Sequence, residues 1–213
     1  MRLFKFHKVL GCWLMVSFIM SLAVVGCKEV KEEDEYDNWK ERNQLFVDSI
    51  GNLASGKIVV TADDADAMQL GTYYAIETNA STNYQSQYIY VKKLLANTIG
   101  ERAYYTDKAS VFYYGTLING SRFDGNFTGF SCIDKSALDG NDNLPTEFNS
   151  PTEFAVNGSI ISGWKTALKY MREGERWMVY IPYQSAYGVK GSGTILGYTL
   201  LCFDMIVDEV IRQ

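Results

Sequence analysis

Residues 113–124 read YYGTLINGSRFD. Asn119-Gly120 sits between two short apolar-polar runs, and the pair tolerates the positive φ angles of a two-residue type I′ turn, so the stretch is predicted to fold back as a β-hairpin. The second strand ends on Phe123-Asp124, with Tyr113 and Tyr114 across from it. Aromatics are ordinary strand residues and Asp is an ordinary strand terminator. Taken alone, these residues specify a hairpin and nothing more.

Outward from the hairpin, the texture of the chain sets the remaining elements. Residues 88–95 (YIYVKKLL) and 109–117 (ASVFYYGTL) are β-branched and aromatic runs and read as strands, as do 177–182 and 199–210. Residues 159–173 place Ile160, Ile161, Trp164, Leu168 and Met171 on one helical stripe, with Gly174 where a C-cap glycine belongs. Residues 39–53 carry Trp39, Leu45, Phe46, Ile50 and Leu53 at amphipathic spacing, although Gly51 weakens that helix by about 1 kcal/mol relative to alanine. The stretch 57–85 reads as a polar connection with one short strand at 57–61, and 125–150 as a long polar loop. The connections are too short for right-handed parallel crossovers. The pattern therefore predicts an α+β fold, one antiparallel sheet packed on a single helix.

The amino terminus reads differently. MRLFKFHKVLGCWLMVSFIMSLAVVGC has basic residues, then an apolar stretch, then small residues before Cys27, the layout of a secretory signal peptide. A transmembrane anchor competes on apolar length alone. Val24-Val25-Gly26-Cys27 resembles the bacterial lipobox, which implies cleavage after residue 26 and a lipid on Cys27 that holds the protein to a membrane of the cell envelope. Cleavage removes His7, the one histidine, and three of the 20 basic residues. It leaves 17 against 25 acidic residues, a formal charge of −8. A mature chain without histidine cannot run a Ser-His-Asp or Cys-His mechanism or build imidazole zinc sites. Without a basic stripe it is a poor ligand for nucleic acid. Residues 28–37 are mostly charged and read as a solvated tether. Cys132 and Cys202 are the remaining pair; they read as a possible disulfide or, more plainly, as two small apolar side chains.

Three stretches then line up in order. The run from residue 88 to 124 fits V-x-Y-x-G-x-L-x-[DN]-G-x-x-F-D, FAVNGSIISGWKTALKYMREGERWMVYIP resembles F-x-[VL]-G-x-x-[IV]-x-G-W, and YQSAYGVKGSGTILGYTLLCFDMIVDEV contains Y-x-x-A-Y-G followed by L-x-F-D. Together they resemble the FKBP-type peptidyl-prolyl isomerases over residues 86–213. The resemblance implies a curved antiparallel sheet wrapped around one short helix; ahead of it, the chain's own texture gives a signal (1–26), a tether with a short helix (27–56) and a connection (57–85). The resemblance also implies a prolyl pocket of Tyr113, Phe123, Asp124, Ile160, Ile161, Trp164, Tyr187, Ile195 and Phe203. Trp164 is its floor and Asp124 its edge, held by the Tyr113 hydroxyl. The Ile161 N–H and Tyr187 hydroxyl are expected to receive substrate carbonyls.

The reaction so implied is rotation about the bond before proline in exported proteins, with no cofactor, metal or proton transfer. FK506-like macrolides are further expected ligands. A non-catalytic peptide- or protein-binding module of the envelope is the alternative. Two departures touch the family pattern. The stretch from Gly125 to Glu153 is long, and where the family often has an arginine and another pocket aromatic no arginine is assigned. Thr152 stands in the aromatic's place, with Phe127 or Phe130 as substitutes, and the loop could be a lid or a client-binding flap. The loop after Tyr187 is about one residue short.

Overall fold

A computed structural model describes residues 34–78, 87–134 and 138–213. The predicted leader, the lipobox and Cys27 lie outside the described residues. Two compact units divide the chain, residues 1–37 and 38–213. In the first, the described residues form a turn closed by the Asp37 N–H on the Asp34 carbonyl at 2.8 Å.

The second unit carries strands β1 (Ile58–Val59), β2 (Tyr73–Thr78), β3 (Gln87–Leu95), β4 (Lys108–Thr116), β5 (Arg122–Gly125), β6 (Thr152–Ala155), β7 (Arg176–Ile181) and β8 (Leu201–Ile211). Its helices are α1 (Trp39–Leu53), α2 (Ala62–Asp66) and α3 (Ser162–Tyr170), with a 3₁₀ turn at Tyr183–Ser185. The strands form one sheet in the order β1-β2-β3-β7-β8-β4-β5, with β6 also on β4. Every pairing is antiparallel except β1 with β2. The expected α+β class holds, and the segment read as a connection adds β2 and α2 as well as β1.

Successive side chains of a strand point to opposite faces of its sheet, and β7 uses both. Tyr180 meets Phe46 of α1, ring centroids 6.4 Å apart. Ile181, the next residue, meets α3 so closely that a Cβ on Gly163 would lie 2.4 Å from its Cγ2. Only glycine admits that approach. The two helices therefore cover opposite faces, which is why all six residues of β7 are buried and why the five after Arg176, WMVYI, read as a continuous apolar run.

Three local expectations are corrected. The hairpin forms, but its turn is not type I′. Asn119 keeps negative φ, Gly120 has φ 86°, and the Gly120 N–H bonds the Leu117 carbonyl at 2.9 Å, a type I turn closed by a glycine in the left-handed region. Helix α3 stops at Tyr170, so Gly174 (φ 74°) belongs to the turn into β7 and caps no helix. Helix α1 runs through Gly51. Its buried face is Trp39, Asn43 and Ile50, while Leu45 and Leu53 are exposed. Asn43 lies there because it caps the backbone of another segment, accepting the Leu200 N–H at 2.8 Å, and Trp39 Nε1 donates to Thr199 Oγ1 at 2.8 Å.

None of the described residues of the long loop lines the expected pocket. The loop's anchor is a fully buried ion pair, Arg176 Nη2 to Asp204 Oδ2 at 2.5 Å. Arg176 Nη1 donates to the Gly140 carbonyl at 2.9 Å and the Asp142 carbonyl at 2.5 Å, and Asp204 accepts the Phe130 N–H at 2.8 Å. Arg176 and Asp204 share the face of Tyr180, as alternation along β7 and the opposition of Asp204 to Met178 require. Phe130, Gly140 and Asp142 of the loop are therefore held behind the sheet, on the α1 side. Burial raises the Asp204 carboxyl above the usual range, and Arg176 opposes that shift. Cys132 and Cys202 are buried thiols on this same side; the Cys132 N–H donates to Thr116 Oγ1 at 2.9 Å.

Candidate active site

The other face of the sheet, at the start of α3, holds a cleft of about 160 Å³. A cavity of about 150 Å³ accepts one six-membered ring, so the space suits a single ring-sized group. Trp164 forms its floor. It is the third residue of α3, 5% exposed, and three rings stand around it: Phe154 at 4.8 Å, Tyr113 at 5.2 Å and Phe203 at 5.2 Å between centroids. Tyr113 and Phe203 meet Trp164 edge to face, the geometry ring quadrupoles favour. Phe123 closes the far side edge-on to Phe203 at 5.4 Å.

Of the nine residues expected there, eight line the cleft: Tyr113, Phe123, Asp124, Ile160, Ile161, Trp164, Tyr187 and Phe203. Ile195 does not; it is half-buried and packs against the core. Phe154 and Ser159 complete the lining. The aromatic that the sequence reading placed at Thr152, Phe127 or Phe130 is Phe154. Phe127 stacks edge-on to Phe112 behind the sheet at 6.3 Å, and Phe130 lies under the Arg176 guanidinium at 4.6 Å.

One carboxylate faces this lining. Asp124 is exposed at the rim, where Oδ1 accepts the Tyr113 hydroxyl at 3.2 Å and the Gly125 N–H at 2.8 Å. Burial first, and the Asp124 charge next, push the Tyr113 phenol up to about 12, so it stays a neutral donor. Ile161 is the N-cap of α3. Its carbonyl accepts from the Trp164 N–H at 3.1 Å and the Lys165 N–H at 3.3 Å. The Ile161 N–H lies outside the helix's own bonding, as the first amides of any helix do, and it has no acceptor among the described residues. Tyr187 is 40% exposed at the mouth.

Tyr113 sits at a break in the ladder, between the pairing of β4 with β6 and its pairing with β5. Asn126 fills the break. Its Oδ1 accepts the Tyr113 N–H at 2.9 Å, its Nδ2 donates to the Val111 carbonyl at 3.0 Å, and its own N–H bonds the Tyr113 carbonyl at 3.0 Å. This residue positions the Tyr113 ring, and no motif in the sequence marked it.

The model of the FKBP-type peptidyl-prolyl cis-trans isomerases matches residues 100–207, half of the chain. The chain belongs to this family. Its reaction is rotation about the Xaa-Pro bond. The chain is 29% identical over 206 residues to the macrophage infectivity potentiator of Trypanosoma cruzi, covering 94% of this chain and 81% of that one. It is 33% identical over 107 residues to the FKBP-type 22 kDa peptidyl-prolyl cis-trans isomerase of Escherichia coli, covering 50% of this chain and 42% of that one. It is 33% identical over 101 residues to FK506-binding protein 2 of Dictyostelium discoideum, covering 46% and 62%. It therefore spans most of the first relative and less than two thirds of the other two. In fold it is similar to a peptidyl-prolyl cis-trans isomerase from Pseudomonas syringae, TM-score 0.51 at 22% identity, over 84% of this chain and 98% of that one.

As an FKBP-type isomerase the chain keeps its aromatic cleft while its long insertion lies behind the sheet. The departure that the sequence placed at the pocket rim is thereby moved away from it. Phe154 opens the FAVNG stretch on which the family resemblance rests, so its signal was present. Thr152, two residues earlier, lies on the same face of β6, so position on the strand does not by itself separate the two.

Proposed function

We propose that the cleft over Trp164 is the seat of the prolyl ring and that the Ile161 N–H and Tyr187 hydroxyl receive carbonyls of the substrate backbone. The barrier, about 18–20 kcal/mol, comes from the partial double-bond character of the amide. Twisting the bond removes charge separation from it. An apolar, aromatic, water-poor cleft therefore disfavours the polar planar amide relative to the twisted one, and each 1.4 kcal/mol so gained is about tenfold in rate. Asp124 acts by charge and hydrogen bonding at the rim; with both its bonds to Oδ1 made to Tyr113 and Gly125, it is placed to orient rather than to take a proton.

The Trp164-floored cleft with a single carboxylate at its edge is the observation that carries this reading. The clients are proline-containing segments of exported proteins, and a lipid on Cys27 holds the enzyme to a membrane of the envelope; the leader-like residues 1–26 support both. FK506-like macrolides compete for the same cleft, a ligand class named for the Dictyostelium relative. The test is NMR exchange or a protease-coupled assay on a short Xaa-Pro peptide, comparing the mature protein with Asp124→Val and Tyr187→Phe. Acceleration that falls in both variants is the expected result. No acceleration over the uncatalysed rate by the folded wild-type protein overturns it and leaves a binding module. Mass spectrometry of the amino-terminal peptide from membrane fractions, with Cys27→Ser as comparison, tests the anchor.

A further inference from the structure

A second depression borders the cleft. It encloses about 530 Å³ on the outer side of α3. Two short stretches of chain line both spaces: Phe154 lines the cleft and Val156 the depression, and Ile161 lines the cleft while Ser162 and Lys165 line the depression. The two are thus neighbours across the start of α3, close enough for one extended chain to occupy both.

The charges in the depression are unevenly matched. Arg102 is held by Asp66, which also pairs with Arg172 at 2.7 Å. Lys165 and Lys169, one turn apart on α3, have no carboxylate within ion-pair distance among the described residues, and one acid, Glu77, lines the space with them. Lys169 Nζ rests over the Tyr170 ring, 5.1 Å from its centroid. Tyr104 and Tyr105 are 69% and 70% exposed at the mouth, a large aromatic surface left in water. In a chain with a formal charge of −5, two lysines one helical turn apart, with no acid partner among the described residues and exposed tyrosines beside them, make a local surface suited to anionic, partly apolar peptide.

We propose that this depression is a subsite for the residues flanking the proline, and that it selects client segments carrying Asp or Glu there. The inference rests on the prolyl-cleft reading and names the class of client it prefers. Proline binds over Trp164, and the flanking chain crosses the start of α3 so that its carboxylates meet Lys165 and Lys169. Exposed ion pairs each contribute little, and they are screened by salt, so the preference is moderate and strongest at low ionic strength.

The test uses extended Leu-Pro peptides with two Glu or two Gln on the amino-terminal or the carboxy-terminal flank, together with an unextended tetrapeptide. On one flank, wild type at low salt is expected to turn over the Glu peptide with kcat/KM about three- to tenfold above its Gln twin. That ratio should fall to about one in Lys165→Gln/Lys169→Gln and at high salt, while the tetrapeptide rate is unchanged by the variant. Equal rates for Glu and Gln peptides on both flanks, or a preference that survives the double substitution, overturns the subsite. Should no peptide be isomerised, the prolyl-cleft reading fails. Fluorescence anisotropy of the labelled Glu and Gln peptides with wild type and double variant then decides the subsite alone, by the same ratio in Kd.

Discussion

Tyr113 shows how one side chain joins stability to the site. Its phenol is held near 12 by burial and then by Asp124, against about 10 for a free tyrosine. Below pH 10 the folded and unfolded chains both keep the proton. Between pH 10 and 12 the unfolded chain ionises first, so stability is lost as pH rises through that window. Melting curves from pH 8 to 12 should therefore fall more steeply for wild type than for Tyr113→Phe; parallel curves would show that the phenol is not held up. Trp164 is the sharper case for the cleft. Trp164→Ala should cost about 3–5 kcal/mol in denaturant unfolding and should lower turnover beyond the fraction unfolded. Both residues were legible because they stand in motifs. Asn126 was not, because its part is to bridge a gap in backbone pairing that exists only once β4, β5 and β6 are assembled.

At the scale of elements, the buried pair of Arg176 on β7 and Asp204 on β8 fixes where the long loop goes. Removing one member of such a pair leaves a buried charge without its partner. Arg176→Met should cost about 3–5 kcal/mol, and adding Asp204→Leu should recover part of that loss. Urea unfolding of the single and double variants measures it, and a single variant as stable as wild type would mean the loop is held by other contacts. The folded fraction should keep its activity on short peptides, since the pair lies behind the sheet from Trp164. Strands β3, β4, β7 and β8 were readable as aromatic and β-branched runs. Strand β2 carried the same signal in YYAIET, but polar residues on both sides hid it. The hairpin was readable from Asn119-Gly120, whereas its turn type depended on a bulge in register at Gly115 and Thr116.

For the molecule as a whole, the segment before β3 is part of the sheet. Ile76 of β2 and Ile89 and Val91 of β3 are fully buried, and β2 covers what would otherwise be an open edge. A chain beginning at Gln87 should therefore melt lower and aggregate more than one beginning at Asn38, because it exposes β3 as an apolar edge. Light scattering and thermal melts of the two chains compare them directly, and equal behaviour would show that β1 and β2 add nothing to the sheet's integrity.

Local chemistry decided what could be read without coordinates: strands from branched and aromatic runs, a helix from its apolar stripe, and the aromatic cleft from three motifs in fixed order. The tertiary structure alone decided which face of the sheet each segment covers. Consecutive residues of a strand point opposite ways, so the side taken by α1, by the long loop and by the lysines of α3 follows from pairing between segments far apart in the chain, which no local window of sequence contains.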